Sequence, residues 1–372
     1  MNPTSDLHFK QNNPLAEGWG PSLVPRKVII DPISRIFYSS FYIKGLYDVF
    51  GKNNVSFSSK YFVELNRKKE SHSYDHYMAF IIIDQNKNIN KFIIDFRDKP
   101  SVKEKAYEWC DKYAKINFNL AITEKRFHDK IISIPPGFGI KIWNFLETAY
   151  YCLSNLMKCR LSPKVTFKNH VLDYLSQYKR PILDDLISST YKNTKIDIKP
   201  YVFMIGTLWS HQNCIDGTNL IRKNFIEVCR TLNCNFEGGF FASVNHPQYI
   251  DFKDFIFSKR YSVDSYIKKT KLSEIVFNTP AVHNCHGWKL GEYLAMGKAI
   301  VSTPISNQLP EDLLHGKNIH ITSNMDELKS ALDLLLKNDN YRKMLEDGAK
   351  NYYSKYVCPK MVIQNILRNC IF

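Results

Sequence analysis

No run of apolar residues in this 372-residue chain approaches the ~18–20 positions a helix needs to span a bilayer. The opening MNPTSDLHFKQNNPLAEGWG has no basic segment followed by an apolar one, so no secretory leader is expected. Cysteine is present nine times, an odd number at irregular spacings with no C-x-x-C pair, which argues against a disulfide framework and for a reducing compartment. Short-period repeats and low-complexity segments are also missing. The chain is therefore expected in the cytoplasm, meeting any membrane from outside as a peripheral visitor.

What is present is ample core. Hydrophobic residues make up 44% and aromatics 14%, which excludes a disordered chain, and the length suits two domains of ordinary size. A net charge of +15 favours anionic partners such as nucleotides, phospholipid surfaces or nucleic acid. The lysines are scattered, and the aromatic-basic stripe that a nucleic-acid surface needs is not found.

The first half alternates short apolar runs with helical spacing. RKVIID (26–31), NVSFSS (54–59), MAFIIID (78–84), NKFIIDF (90–96) and KIISIPP (130–136) read as buried strands, with a helix over SSFYIKGLYDVFG between the first two. Residues 142–186 read as amphipathic helix, and STYKNTKIDIKP (189–200) as a linker. A second alternation follows. YVFMIGTLW (201–209), EIVFNTP (274–280) and KAIVSTP (298–304) are strands, and MDELKSALDLLLKNDNYRKMLEDGAKNYYSKY is helical. This predicts an α/β protein of two doubly wound, Rossmann-like parallel-sheet domains facing a cleft, divided at 1–190 and 191–351, with a terminal helix over 352–372 returning to the first.

The stretch HNCHGWKLGEYLAMGKAIVSTP (283–304) carries the most chemistry. It joins two strands through one helix, and ligands of such sheets bind beyond the carboxyl ends of the strands. Gly287 lets backbone approach closely, and the amides of the following helical turn favour an anion such as a diphosphate. Leu290, Tyr293, Leu294 and Gly297 form the stripe that faces the sheet, leaving Glu292 off it and free to accept hydrogen bonds from ligand hydroxyls. His283, Cys285 and His286 make a poor tetrahedral metal set because they are near neighbours on one loop, and HSYDH (72–76) reads as a solvated loop.

With those residues in view, the second half resembles the donor-binding domain of GT-B glycosyltransferases, in particular the large group-1 family (family 4). That family has two glutamates eight positions apart, Phe-Gly between them, and Ala-Met-Ala-x-Gly-x-Pro-Val-Ile after them; here Gly287, Glu292 and EYLAMGKAIVST match. The resemblance implies that Glu292 holds the ribose of a nucleotide-sugar donor and that backbone around Gly287 and Trp288 meets its diphosphate. Departures are plain. Asn284 stands where the first glutamate belongs and His286 where the phenylalanine does, and Gly206–Thr207 replaces a Gly-Arg pair. Lys289, Lys259 or Arg260 is expected to supply the missing cation.

The first domain then takes the acceptor, a saccharide or polyprenyl-linked one. Candidates are Ser39, Ser40 and Lys44 after the first strand, and Asp95, Arg97 and Asp98 in DFRD. In an inverting reaction Asp95 or Asp98 would be the general base. In a retaining one the leaving diphosphate serves. No Asp-x-Asp occurs, so the resemblance implies a metal-independent reaction without cofactor, in bacterial surface-polysaccharide assembly near an anionic membrane. A sugar-nucleotide epimerase on the same fold and a polyanion-binding protein are the alternatives.

Overall fold

In a computed structural model the described residues are 27–67, 77–159, 166–188 and 199–368. The His72–His76 loop lies outside them, as does most of the 189–200 linker. The first half runs β1 (Lys27–Ile30), α1 (Ile36–Phe50), β2 (Val55–Phe57), β3 (Tyr77–Ile83), β4 (Ile89–Asp95), α2 (Glu104–Trp109), β5 (Lys112–Lys115) and β6 (Ile131–Ser133). Three helices close it: α3 (Phe145–Cys159), α4 (Phe167–Tyr178) and α5 (Leu183–Ile187). The second half runs β7 (Tyr201–Thr207), α6 (Asn219–Thr231), β8 (Asn235–Phe241), α7 (Val263–Leu272), β9 (Ile275–Asn278), α8 (Trp288–Ala295), β10 (Ala299–Ser302) and β11 (His320–Ile321). It ends in α9 (Met325–Lys337), α10 (Asp339–Tyr352) and α11 (Pro359–Leu367).

The α/β class holds, with two departures in the first half: Lys112–Lys115, in a stretch whose spacing suggests helix, is a sixth strand, and the strand directions are mixed. Its six strands lie in the order β2-β1-β3-β4-β5-β6, and β3 runs antiparallel to both β1 and β4. The two apolar runs either side of Gln85–Asn88 are joined by too few residues for a crossover helix, so they fold back as a hairpin. Chain direction leaves no mark on apolar periodicity, which is why a parallel sheet was expected throughout.

Every strand pairing in the second half is parallel. β7 pairs with β8, and β10 lies between β9 and β11. The two sheets meet where the Glu274 N–H donates to the Tyr201 carbonyl at 2.8 Å, which sets β9 alongside β7. The chain thus leaves β7 towards β8 on one side and resumes at β9 on the other. A crevice opens between the carboxyl ends of β7 and β9, the place where ligands of such sheets sit.

One apolar core passes through both halves. Phe41, Phe80 and Ile134 belong to the same buried cluster as Leu290, Tyr293, Val362 and Ile363. Helix α11 crosses back to lie on α1, and Gly45 makes this possible: a β-carbon there would stand 2.3 Å from the Pro359 carbonyl oxygen. Gly45→Ala is accordingly expected to cost about 1–3 kcal/mol through overpacking. That exceeds the ~1 kcal/mol gained by removing a helical glycine. Urea unfolding checks it, and an unchanged or raised midpoint would refute the close-approach argument.

Candidate functional site

A cavity of about 300 Å³ occupies the crevice. Gly206 and Thr207 at the end of β7, Phe241 at the end of β8, and Asn278 and Thr279 at and just past the end of β9 line it. Gly287, Trp288 and Lys289 at the start of α8 close it. Gly287 is the residue before the first helical turn, no side chain caps that turn, and a β-carbon at Gly287 would meet nothing within 4 Å. The first amides of α8 are thus left for a ligand, as expected for an anion at a helix start.

Two cations line this cavity and no carboxylate does. Arg222, from the second turn of α6, donates Nε to Thr279 Oγ1 at 2.8 Å, and its Nη1 stands 3.4 Å from the Thr207 carbonyl. Neither Arg222 nor Lys289 has an ion pair among the described residues. A half-buried guanidinium held only by a hydroxyl and a carbonyl keeps most of its charge uncompensated, and burial pulls its pKa down. With Thr207 after Gly206, the sequence points to Lys289, Lys259 or Arg260 for this charge; Lys289 lines the cavity, and Arg222 on the next helix is the cation it does not single out.

Lys289 donates Nζ to the Ile205 carbonyl. Burial, then the neighbouring Arg222 charge, push its ammonium down to about 7, against a smaller opposing pull from Glu292. An unfolded lysine titrates near 10.5, so between about pH 7 and 10.5 the unfolded chain holds a proton the folded one has released. Stability of the free protein should therefore rise with pH across that window. An anion bound beside it would restore the charged form. Binding of a diphosphate ligand at pH 8 would then take up close to one proton, seen calorimetrically as a heat that depends on the buffer's ionisation enthalpy. Lys289→Met should abolish the dependence; a buffer-independent heat in the parent protein would sink the assignment.

Glu292 corrects the sequence reading. It was expected to be free, but its side chain is 5% exposed and accepts from Arg180 Nη2 at 2.5 Å, with the Tyr266 hydroxyl 3.5 Å from its other oxygen. The reason lies outside the helix: the Ile134–Gly139 loop of the first half covers α8. A β-carbon at Gly291 would stand 2.4 Å from the Pro136 carbonyl, and Arg180 Nε is fixed by the Gly139 carbonyl at 2.8 Å. All of Leu290 to Ala295 is buried, not one stripe alone.

The other expected donor contacts divide. Gly206, Thr207, Gly287, Trp288 and Lys289 line the cavity. Asn284 and His286 are held beside it: the Asn284 side-chain oxygen accepts from Asn213, and the His286 amide donates to Asn117 Oδ1 at 2.8 Å. His286 Nε2 lies 3.1 Å from the Asn307 carbonyl, and burial pushes the imidazole down to about 4. Lys259 and Arg260 sit on an exposed loop before α7 and do not line the cavity, because the chain between Ile256 and Ser262 runs along the surface.

The first-half candidates are mostly structural. Ser39 and Ser40 lie in the first turns of α1, fully buried, where Ser40 Oγ donates to the Phe37 carbonyl and accepts from the Ile140 amide. Helix α1 starts sooner after β1 than expected, so these positions are helix interior and not a cleft loop. Lys44 is on the outer face of α1, paired with Asp48 one turn on. Asp95 is fully buried, bonded to Arg97, Lys115 and Tyr113. Lys115 and Arg97 hold that carboxyl well below the usual range despite its burial, so it stays ionised and cannot shuttle protons. Arg97 is spent on Asp95 and the Ser101 carbonyl. Of the two carboxylate candidates only Asp98 faces solvent, close enough to His283 and Cys285 of the second half to influence both.

Trp288 joins the halves at the rim. Its ring lies 5.0 Å from that of Phe37 and 4.7 Å, edge to face, from that of Tyr38 at the start of α1.

No protein-family model matches this chain, and no curated protein does. Among solved structures it is similar to the C-terminal domain of a group 1 family glycosyl transferase (LpcC) from Francisella tularensis, at 13% identity and a TM-score of 0.32 over 42% of this chain and 85% of that one. HepE from Anabaena, in complex with UDP-glucose, is similar at 10% identity and a TM-score of 0.36 over 74% and 97%. A putative UDP-N-acetylglucosamine 2-epimerase from Listeria monocytogenes is similar at 12% identity and a TM-score of 0.33 over 67% and 68%. The neighbours are GT-B proteins, glycosyltransferases for the most part. What the chain does is read from its own residues.

Proposed function

We propose that this protein transfers a sugar from a nucleotide-sugar donor to a saccharide or lipid-linked acceptor, in the assembly of a bacterial surface polysaccharide. The observation that carries the reading is the paired cations, Arg222 and Lys289, facing an acid-free cavity at the uncapped start of α8. A diphosphate supplies what this cavity lacks. Its charge meets the guanidinium, the ammonium and the first amides of α8, while Gly206 and Gly287 leave room for it.

The bond from the sugar's anomeric carbon to the diphosphate breaks as an acceptor hydroxyl attacks that carbon. Negative charge builds on the departing nucleotide, and cations already in place lower the barrier by stabilising it. The hydroxyl's proton goes to the departing diphosphate if configuration is retained, or to Asp98, the solvent-facing carboxylate of the first half, if it is inverted. The two protein cations do the neutralising work that a divalent metal does elsewhere, so turnover is proposed to survive EDTA. A peripheral encounter with an anionic membrane would bring a lipid-linked acceptor to the cleft.

The test is thermal unfolding in the presence of UDP-, GDP- and CMP-sugars. One nucleotide class should raise the midpoint, and labelled sugar from that donor should then reach an added acceptor. No response to any nucleotide refutes the reading. Isomerisation of the donor without transfer would identify an epimerase.

A further inference from the structure

Helix α3 turns most of its large apolar side chains outward. The face it turns inward holds the small or polar Thr148, Cys152, Asn155 and Cys159, with Asn155 donating to the Tyr174 hydroxyl at 2.8 Å and Tyr151 stacked on Trp143 at its edge. Its outward face carries Phe145, Leu146, Tyr150, Leu153 and Met157, with Leu146 76% and Met157 77% exposed. Those positions fall within one stripe at helical spacing, and an ordinary surface helix would show the reverse pattern. On the neighbouring α4, Phe167 and Leu172 are exposed as well. Scattered exposed leucines are commonplace, whereas a contiguous apolar face of this kind marks a contact surface.

The surroundings choose the occupant. Lys158, Lys168 and Lys179 are exposed on and after these helices, and Lys141 lies over the Tyr178 ring, whose edge meets Phe145. The acids of α3 and α4 are already engaged: Glu147 with Lys52, and Asp173, buried, with Arg35 and the amides of Ile36 and Phe37. An apolar band with aromatic members and a cationic margin is what a peripheral protein offers to lipid headgroups. A second copy of this chain would instead set lysines against lysines.

We infer that the outer face of α3 and α4 seats this protein on an anionic lipid bilayer, with Leu146, Tyr150, Leu153 and Met157 entering the headgroup boundary. The same elements reach the candidate site. Asp173 of α4 caps the start of α1 beside Trp288, and Arg180, just past α4, holds Glu292 of α8. Docking would thereby orient the cleft towards a lipid-borne acceptor. This deepens the membrane part of the function proposed above and rests on it only there. Its test uses no nucleotide, so either can fail alone.

The full chain is sedimented with vesicles of phosphatidylcholine containing about one-third phosphatidylglycerol, and compared with the triple variant Leu146→Asp, Leu153→Asp, Met157→Asp. The parent protein should pellet with the vesicles, and the variant's affinity should fall at least about tenfold. Because the three side chains are exposed, the variant's thermal midpoint should match the parent's, which separates lost docking from lost folding. Failure of the parent to bind, or equal binding by the variant, overturns the inference. So would a parent dimer that the triple substitution turns into a monomer, since that face would then belong to a second copy.

Discussion

Arg222→Met is expected to weaken nucleotide-sugar binding by roughly ten- to a hundredfold, the range for losing a hydrogen bond to a charged group. The same substitution should leave the free protein as stable as before, or more so. The guanidinium has no carboxylate to lose, and methionine removes a half-buried charge whose partners are one hydroxyl and one carbonyl. Residues that hold a fold together do not behave in this way, so opposite signs for binding and stability are the mark of a ligand site. Lys259→Ala and Arg260→Ala serve as controls and should leave affinity unchanged, since neither lines the cavity. Isothermal calorimetry with the responsive donor, beside urea unfolding, reads both quantities. A destabilised variant with parental affinity would remove Arg222 from the site.

Glu292→Ala is expected to destabilise the chain by about 3–5 kcal/mol, the cost of leaving one member of a buried ion pair alone. Arg180 is 10% exposed and would keep only the Gly139 carbonyl. A simple loss of donor binding in this variant would therefore be uninformative, because the wall between α8 and the Ile134–Gly139 loop would loosen with it. The double variant Arg180→Met, Glu292→Met separates the two effects. Removing both charges should recover most of the lost stability. Donor affinity of that double variant then tests the ribose role carried by the resemblance. If the single variant is as stable as the parent, the pair does not hold the halves together.

Much of this arrangement could be read in the sequence, for physical reasons that also mark where reading stopped. Runs such as YVFMIGT and EIVFN are apolar without alternation because both faces of a parallel sheet are covered, and they appear as β7 and β9. Gly287 stood out since only a residue without a side chain leaves the start of a helix open. Arg222 did not, because on the amphipathic α6 a cation beside the stripe of Phe225, Ile226 and Cys229 looks like any solvated residue. Only its bonds to Thr279 and the Thr207 carbonyl, made across the fold, turn it towards the cavity. Glu292 failed for the converse reason. Its place on the helical wheel was read correctly, but what covers that side comes from residues 134–139, more than 150 positions away. Asp95 and Ser40 show the same limit: each residue type suits catalysis, and each is consumed by partners that adjacency in sequence does not reveal.

The continuous cluster that links Phe41 and Phe80 to Leu290 and Ile363 has a consequence for how this molecule can move. Two lobes joined by a hinge alone can swing freely. Here α11 is clasped to α1, and Trp288 rests on Phe37 and Tyr38, so any movement of one half against the other must slide greasy surfaces past one another without parting them. Small shearing steps are the motion such a body permits.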